Sequence, residues 1–441
     1  MILALILFAV TYLLMLALPR ERPWVALCSA AVFVALGQLG VWPLDFPDAL
    51  RAVDYNVLLM MAGTMGTVSL FIESKMPARL AEQLITRVPN VKWAVCVLAL
   101  FAGVISAFVD NVATVLMVAP VGLAIARRLK ISPVPVLIAI AVSSNLQGAA
   151  TLVGDTTSIL LGGFAEMNFF DFFWMRGRPG IFWGVELGAL ASLLVLLWLF
   201  RRQEQPIAAT VETEVEDDVP TALMLLTVGL LIVASFLPQP ENEVLHTLYE
   251  LRSGLICVSL ALFGAVRACL REGSVRPLGR MLRELDRETL LLLFGLFIVI
   301  EGIKAAGVID AAAELFHAAA GEDAFRLYTL LVVVSVVLSA FIDNIPYVAT
   351  MLPVVQGIAA RMNDGAGVEP YVFYFGLLIG ATLGGNLTPI GASANIAAIG
   401  ILRKNGESVR TQDFLRIGVP FTLAAVLTGY GYLWLAWGRT L

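Results

Sequence analysis

An Asp-Asn pair set inside an apolar run occurs twice in this chain. Asp110-Asn111 lies within Ser106 to Pro120 and Asp343-Asn344 within Ser339 to Pro353; seven of the fifteen positions are identical and two more exchange Val for Ile. An aspartate at the centre of a membrane helix costs about 2.5 to 3.5 kcal/mol on insertion scales, so one in each copy points to function before packing. A carboxylate at that depth can hold a cation or carry a proton. The alternative is that each Asp caps a helix start or sits in a surface turn between two full spans. Against that, neither turn has a polar loop, because Phe108-Val109 and Phe341-Ile342 run directly into Asp-Asn and then Val112 or Ile345.

A second pair of signals follows each copy. The apolar stretch 133–165 is too long for one plain helix and is interrupted by Ser143, Ser144, Asn145, Gln147, Gly148, Thr151, Gly154, Asp155, Thr156, Thr157 and Ser158. The stretch 370–402 is interrupted by Gly384, Gly385, Asn386, Thr388, Gly391, Ser393 and Asn395, with Leu146 to Gly154 matching Leu383 to Gly391. Glycines permit a helix to unwind at membrane depth, where free N–H groups hold anions and free carbonyls hold cations. The expected substrate and ion site is therefore Asp110, Asn111, Thr114, Asn145, Gly148, Thr151, Gly154, Asp155 and Thr156 from the first half. The second half adds Asp343, Asn344, Gly385, Asn386, Thr388, Gly391, Ser393 and Asn395, with Na⁺ a candidate at Asp110, Asn111, Asp343 and Asn344.

No Lys or Arg is expected at that depth, and Lys304, near a span end, should snorkel to the interface. That sign favours a cation, a proton or an uncharged oxyacid. The reading is a proton- or ion-coupled antiporter or efflux permease for Na⁺ or a small inorganic oxyacid such as arsenite. The alternative is a Na⁺-coupled symporter of anions such as dicarboxylates or citrate. A passive channel would need an open polar pore in place of paired breaks. An intramembrane enzyme would need a nucleophile with a base or a metal cluster, and no His or Cys lies near either Asp-Asn pair. No enzyme activity and no cofactor beyond a coupling H⁺ or Na⁺ is expected.

The elements that must position these residues are membrane helices. In 441 residues, 59% are hydrophobic and 14% charged, and the mean hydropathy is +0.87, which excludes an ordinary soluble domain and gives no footing for a nucleic-acid partner. Apolar stretches long enough for a ~30 Å hydrocarbon layer recur throughout, as expected of an all-α polytopic membrane protein. Spans are expected at about 2–18, 24–41, 56–72 and 181–200, with a hairpin of two arms at 93–126 and a broken helix at 133–165. The second half repeats this order with spans at 221–238, 253–269, 288–304 and 414–437, a hairpin at 327–360 and a broken helix at 370–402. Residues 1–202 and 221–441 are thus two repeats joined by an acidic cytoplasmic linker, 203–220, expected to be solvated. Each repeat has about five crossings plus one re-entrant hairpin, with unwound helices at the midplane, and an odd number of crossings inverts the second.

Charge gives an independent indication. Beside the first hairpin lie Lys75, Arg79, Arg87, Lys92, Arg127, Arg128 and Lys130 against Glu73 and Glu82, which places its base in the cytoplasm. Beside the second lie Arg326 and Arg361 against Asp310, Glu314, Glu322, Asp323, Asp364 and Glu369. On the same count Arg20, Arg22 and the six arginines from Arg267 to Arg287 fall inside, and both termini fall outside a cell (inner) membrane. The first run, Met1 to Leu18, reads as a transmembrane helix and not a signal peptide, since it lacks a basic start and a small-residue cleavage site. Cys28, Cys96, Cys257 and Cys269 have no paired spacing and read as packing residues; His246 and His317 fall in expected connections. The eight tryptophans lie near expected span ends, as interfacial anchors.

These motifs resemble the ion transporter superfamily, in its branch of arsenite permeases, sodium/proton antiporters and P-protein-like permeases. Asp343-Asn344-Ile345-Pro346 is especially similar to the P-protein-like pattern, and the Asp-Asn positions match the Ser-Asn-Thr motif of the distantly related divalent-anion/sodium symporters. The resemblance implies that both Asp-Asn pairs are tips of re-entrant hairpins and that Gly148 to Ser158 and Gly384 to Asn395 line the site. It also implies an elevator-like displacement of one domain against a homodimeric scaffold. Two departures stand out: Gly154-Asp155-Thr156-Thr157-Ser158 replaces the Gly-Asp-Pro-Pro-Asn of many relatives, and the Ser-Asn-Thr signature is absent from both halves.

Overall fold

The structure, a computed structural model, describes residues 1–128, 131–207, 213–321, 323–362 and 371–438; Lys130, Glu212, Glu322, Asp364 and Glu369 lie outside them. The first half folds as α1 (Ile2–Ala17), α2 (Arg22–Gln38), α3 (Phe46–Arg51), α4 (Tyr55–Glu73), α5 (Met76–Ile85), α6 (Val91–Ser106), α7 (Asn111–Arg128), α8 (Pro133–Gly148), α9 (Thr156–Phe164) and α10 (Ile181–Leu199). The second half continues with α11 (Val219–Ser235), α12 (Glu243–Glu250), α13 (Arg252–Glu272), α14 (Arg276–Glu284), α15 (Arg287–Ala305), α16 (Val308–Ala320), α17 (Ala324–Ser339), α18 (Asn344–Met362), α19 (Tyr371–Gly384), α20 (Ser393–Lys404) and α21 (Thr411–Trp437). Leaving α12 aside, the ten helices of the first half recur in order in the second.

Helix starts are fixed by side chains that take up the free N–H groups of the first turn. Asp54 accepts from Val57 N at 2.9 Å to start α4, Asn90 from Trp93 N at 3.2 Å to start α6, and Asp286 from Thr289 N at 3.0 Å to start α15. Five described helices are long and apolar enough to cross a membrane by themselves, and α15 with α16 makes a further pair bent by 77°.

The packing of the two halves is exchanged. α4 lies along α13 and α2 along α15; α6 packs on α8 and α17 on α19; α10 and α21 pack on each other. The helices α8 and α19 are buried almost along their entire length, as helices apolar all round through their first three turns must be; their polar residues gather at the C-terminal end. The site-bearing breaks fall at the C-terminal ends of these two, where helix carbonyls have no partner within the helix.

Several connections are structured where bare loops were expected. α3, α5, α12, α14 and α16 are short helices, so His246 lies in α12, its ring 3.5 Å from Glu250, and His317 lies in α16. Trp42 and Trp437 are buried inside the protein instead of anchoring its surface; Trp42 donates to Phe33 O at 3.0 Å. The linker is pinned as well: Glu216 pairs with Lys75, and Asp217 is 2.5 Å from Arg267 and 3.0 Å from Arg271. All four cysteines are free, Cys96 and Cys257 buried and Cys28 exposed.

Candidate functional site

Each hairpin turns sharply at its tip and starts its second arm at the Asn. Asp110 Oδ1 accepts from Val112 N at 2.9 Å and Ala113 N at 3.1 Å, and Asp343 Oδ1 accepts from Ile345 N at 3.1 Å. Both carboxylates therefore cap the arm that follows, and each keeps a second oxygen for another partner.

The unwound loops close onto these tips in the same way in both halves. Thr151 donates its hydroxyl to Ala107 O, and Thr388 to Ala340 O. Gly154 fits so closely that a Cβ would stand 2.6 Å from Gly148 O and 2.7 Å from Ala107 O; at Gly391 it would stand 2.6 Å from Gly385 O and 2.9 Å from Ala340 O. Only glycine lets the loop approach the tip at these two points.

A buried amide network joins the halves. Asn111 Nδ2 donates to Asn145 Oδ1 at 2.9 Å and to Asp155 Oδ1 at 3.4 Å. Asn145 Nδ2 crosses to Thr382 O at 2.7 Å and Asn386 Oδ1 at 3.1 Å, and Asn386 Nδ2 returns to Val142 O at 2.8 Å. Asp155 caps α9, accepting from Thr156 N at 2.8 Å and Thr157 Oγ1 at 2.7 Å. The position matching Asp155 in the second half is Ala392, so the acid is present once.

These groups border a cavity of about 420 Å³ whose walls include Asp110, Asn111, Asp155, Thr156, Asn344 and Ser393. The remaining expected residues support that wall without forming it. Asn145, Gly148, Thr151, Gly154, Gly385, Asn386, Thr388 and Gly391 shape the two breaks. Thr114 is buried behind the tip, 3.5 Å from Val109 O, and Asn395 Nδ2 ties the second loop through Gly385 O at 3.1 Å and Thr388 O at 3.2 Å.

Two features differ from expectation. Asp343 does not line the cavity; its Oδ2 is 2.9 Å from Arg22 Nη1, so a cation does stand at hairpin depth. Arg22 had counted as a loop residue, but α2 has 17 residues and rises only about 25 Å, short of the ~30 Å layer. Second, the cavity mouth carries Glu284 and Asp286, with Thr64, Ser69 and Thr289 on the walls. Glu284 accepts from Ser69 Oγ at 2.5 Å. Glu284 ends α14 and Asp286 caps α15, both among the arginines of an expected cytoplasmic connection; a carboxylate shortly before an apolar span is the one signal that pointed to them. Lys304 is exposed and 3.2 Å from Glu301.

The citrate transporter family matches residues 5–375. An uncharacterized transporter of Mycobacterium tuberculosis is 30% identical over 436 residues, 98% of each chain. The P protein of Homo sapiens is 25% identical over 476 residues, covering 92% of this chain and 56% of its own length. In fold, the chain is similar to the YdaH transporter of Alcanivorax borkumensis, with a TM-score of 0.58 at 16% identity over 94% of this chain and 96% of the other. Repeated polar breaks among apolar helices, a walled cavity at their junction and this full-length match agree: the chain is a multi-pass membrane transporter and belongs to the citrate transporter family.

Proposed function

We propose that this secondary transporter is a proton- or ion-coupled antiporter whose cargo is a small cation such as Na⁺ or a neutral oxyacid such as arsenous acid. One observation carries the reading: Asp110, Asp155, Glu284 and Asp286 line the cavity, and no Lys, Arg or His is among its described lining residues. Two like charges 6 Å apart repel by roughly 3 kcal/mol at an effective dielectric of 20, so a bare anion is disfavoured there. Asp110 and Asp155 hold the cation or the proton, with oxygens from Asn111, Thr156 and Ser393 completing the site, and Glu284 and Asp286 gather cations at the mouth. Asp343, neutralised by Arg22, fixes the second hairpin.

In this reading α2, α4, α13 and α15 form a scaffold, dimeric as in the families the motifs resemble, and the hairpins and broken helices move past it as a unit with both termini outside the inner membrane. The cross-repeat amides support such a unit. A second reading, symport of an anion such as citrate, is favoured by the family's description; the acidic walls then require the anion to arrive with enough cations to offset its charge.

Liposomes containing the protein and an internal pH dye, challenged in turn with Na⁺, Li⁺, arsenite and citrate, separate the two. Na⁺ or arsenite pulses should move internal pH, and citrate in a cation-poor buffer should not. A citrate response independent of added cations would overturn the antiporter reading.

A further inference from the structure

A second cavity, of about 240 Å³, is built from the same helices as the first at other heights. The carboxylate-lined cavity touches α4 from Met61 to Ile72, α9 at Thr156 and Ile159, α15 at Thr289 and α18 at Asn344 and Ile345. The second touches Asp54 at the cap of α4, Gly163 late in α9, Glu301 and Lys304 late in α15, and Gln356 late in α18. Three helices reach it by their later residues and α4, running the other way, by its start. The order is consistent, so the two cavities are the ends of one seam between α4 with α15 and α9 with α18, helices that pack on one another.

From Thr289 to Glu301 the seam runs about 18 Å at the α-helical rise, more than half of a ~30 Å hydrocarbon layer. Val57, Leu296 and Val348, all buried, fall between the two cavities along these helices. The cavities thus lie at opposite ends of this seam with a thin apolar layer between them, Ile159 lining the first and Leu160 the second.

Their chemistry differs in one respect. Among its described lining residues the second cavity holds two carboxylates, Asp54 and Glu301, and one cation, Lys304, whose Nζ is 3.2 Å from Glu301 Oε2 with both side chains partly exposed. Asp54 Oδ1 accepts from Val57 N at 2.9 Å, and Oδ2 faces Gly163, 2.3 Å from where a Cβ there would stand. An ammonium on a four-carbon stem can swing off its partner, unlike a fixed guanidinium fork.

We propose that this cavity is the opposite-face vestibule of the transport pathway, that it takes a small inorganic cation at Glu301 and Asp54, and that Lys304 is a tethered cation which occupies Glu301 while the vestibule is empty. Cargo from that face must displace Lys304; cargo from the other face meets no such competitor. The assignment of a cation rests on the proposed antiport function; the position of the vestibule does not.

Two measurements test the parts separately. In a Cys28→Ser, Cys269→Ser background, Gln356→Cys should react with a membrane-impermeant maleimide from the face opposite to the one that labels Glu284→Cys. Labelling of both from one face, or no reaction at Gln356→Cys from either, would overturn the vestibule. In oriented vesicles with Na⁺ as the probe, Lys304→Gln should lower the half-saturating Na⁺ by about two- to fivefold, the scale of a partly exposed ion pair, on the Gln356 face alone, and Lys304→Arg should not. No change, or an equal change on both faces, would overturn the role of Lys304. Absence of any Na⁺ flux in the unsubstituted protein would count against the antiport function and leave the labelling result standing.

Discussion

Arg22, at the start of α2, donates to Asp343 at the tip of the second hairpin across 2.9 Å, with the two side chains 25% and 15% exposed. Removing one partner from so enclosed a pair leaves the other unpaired, at a cost of roughly 1 to 3 kcal/mol. Arg22→Gln and Asp343→Asn should each lower thermal stability in detergent, while the double variant should lose less than their sum. Strict additivity would show that the pair does not couple.

Asp110 faces the cavity without a cationic partner among the described residues, so the two aspartates should behave differently. Asp110→Asn keeps shape and one acceptor while removing the charge; coupled flux should fall by roughly a hundredfold or more, the scale lost with a proton-carrying group, and its pH dependence should flatten. Asp343→Asn should be the milder change in flux per folded molecule. The reading fails if Asp110→Asn transports with the wild-type pH profile.

Gly154→Ala and Gly391→Ala would each press a methyl against backbone carbonyls at 2.6 to 2.9 Å. Backbone must shift, so each should cost about 1 to 3 kcal/mol and reduce transport further by pulling the loop from the tip. Gly400→Ala, in α20 with nothing within 4 Å of the new Cβ, is the control and should be neutral or slightly stabilising, by about 0.5 to 1 kcal/mol. Equal losses at all three positions, in yield and in flux, would remove the close-approach argument.

The linker clasp has a pH signature. Glu216 is held below the usual carboxylate range by its hydrogen bond to Lys75. Burial pushes Asp217 up, but Arg267 and Arg271 with the Val219 N–H bring it below its ordinary value. Lowered carboxylates contribute stability above their unfolded pKa and lose it as pH falls through the folded one. Hydrogen exchange in 213–218, taken relative to the intrinsic amide rate at each pH, should therefore stay constant from about pH 8 to 5 and rise only below about pH 4. Asp217→Asn should raise it throughout.

Spans and breaks were legible because both are one-dimensional signals: an apolar run of span length, and glycine with polar residues inside it. The expected spans match the helices within a few residues, from Ile2–Ala17 to Thr411–Trp437. Arg22 and Glu284 were not legible, because depth depends on how short helices sit, and counting charges in connections assigns any flanking residue to the surface. The same count hid α5, α14 and α16. Asn145 and Asn386 each stood out as polar, yet nothing in the chain said that one amide would answer the other across the two halves.

That amide pairing sets a condition on how the protein is made. Asn145 donates to Thr382 and Asn386, 237 and 241 residues further along the chain. At about 5 to 20 residues per second, synthesis brings those partners to the membrane roughly ten to fifty seconds after Asn145. During that interval the first half lies in lipid with the Asn145 N–H donors unanswered at its centre, groups that cost several kcal/mol when nothing accepts from them. The early half must therefore wait in water-accessible or loosely packed form, and it becomes a finished object only when α19 arrives.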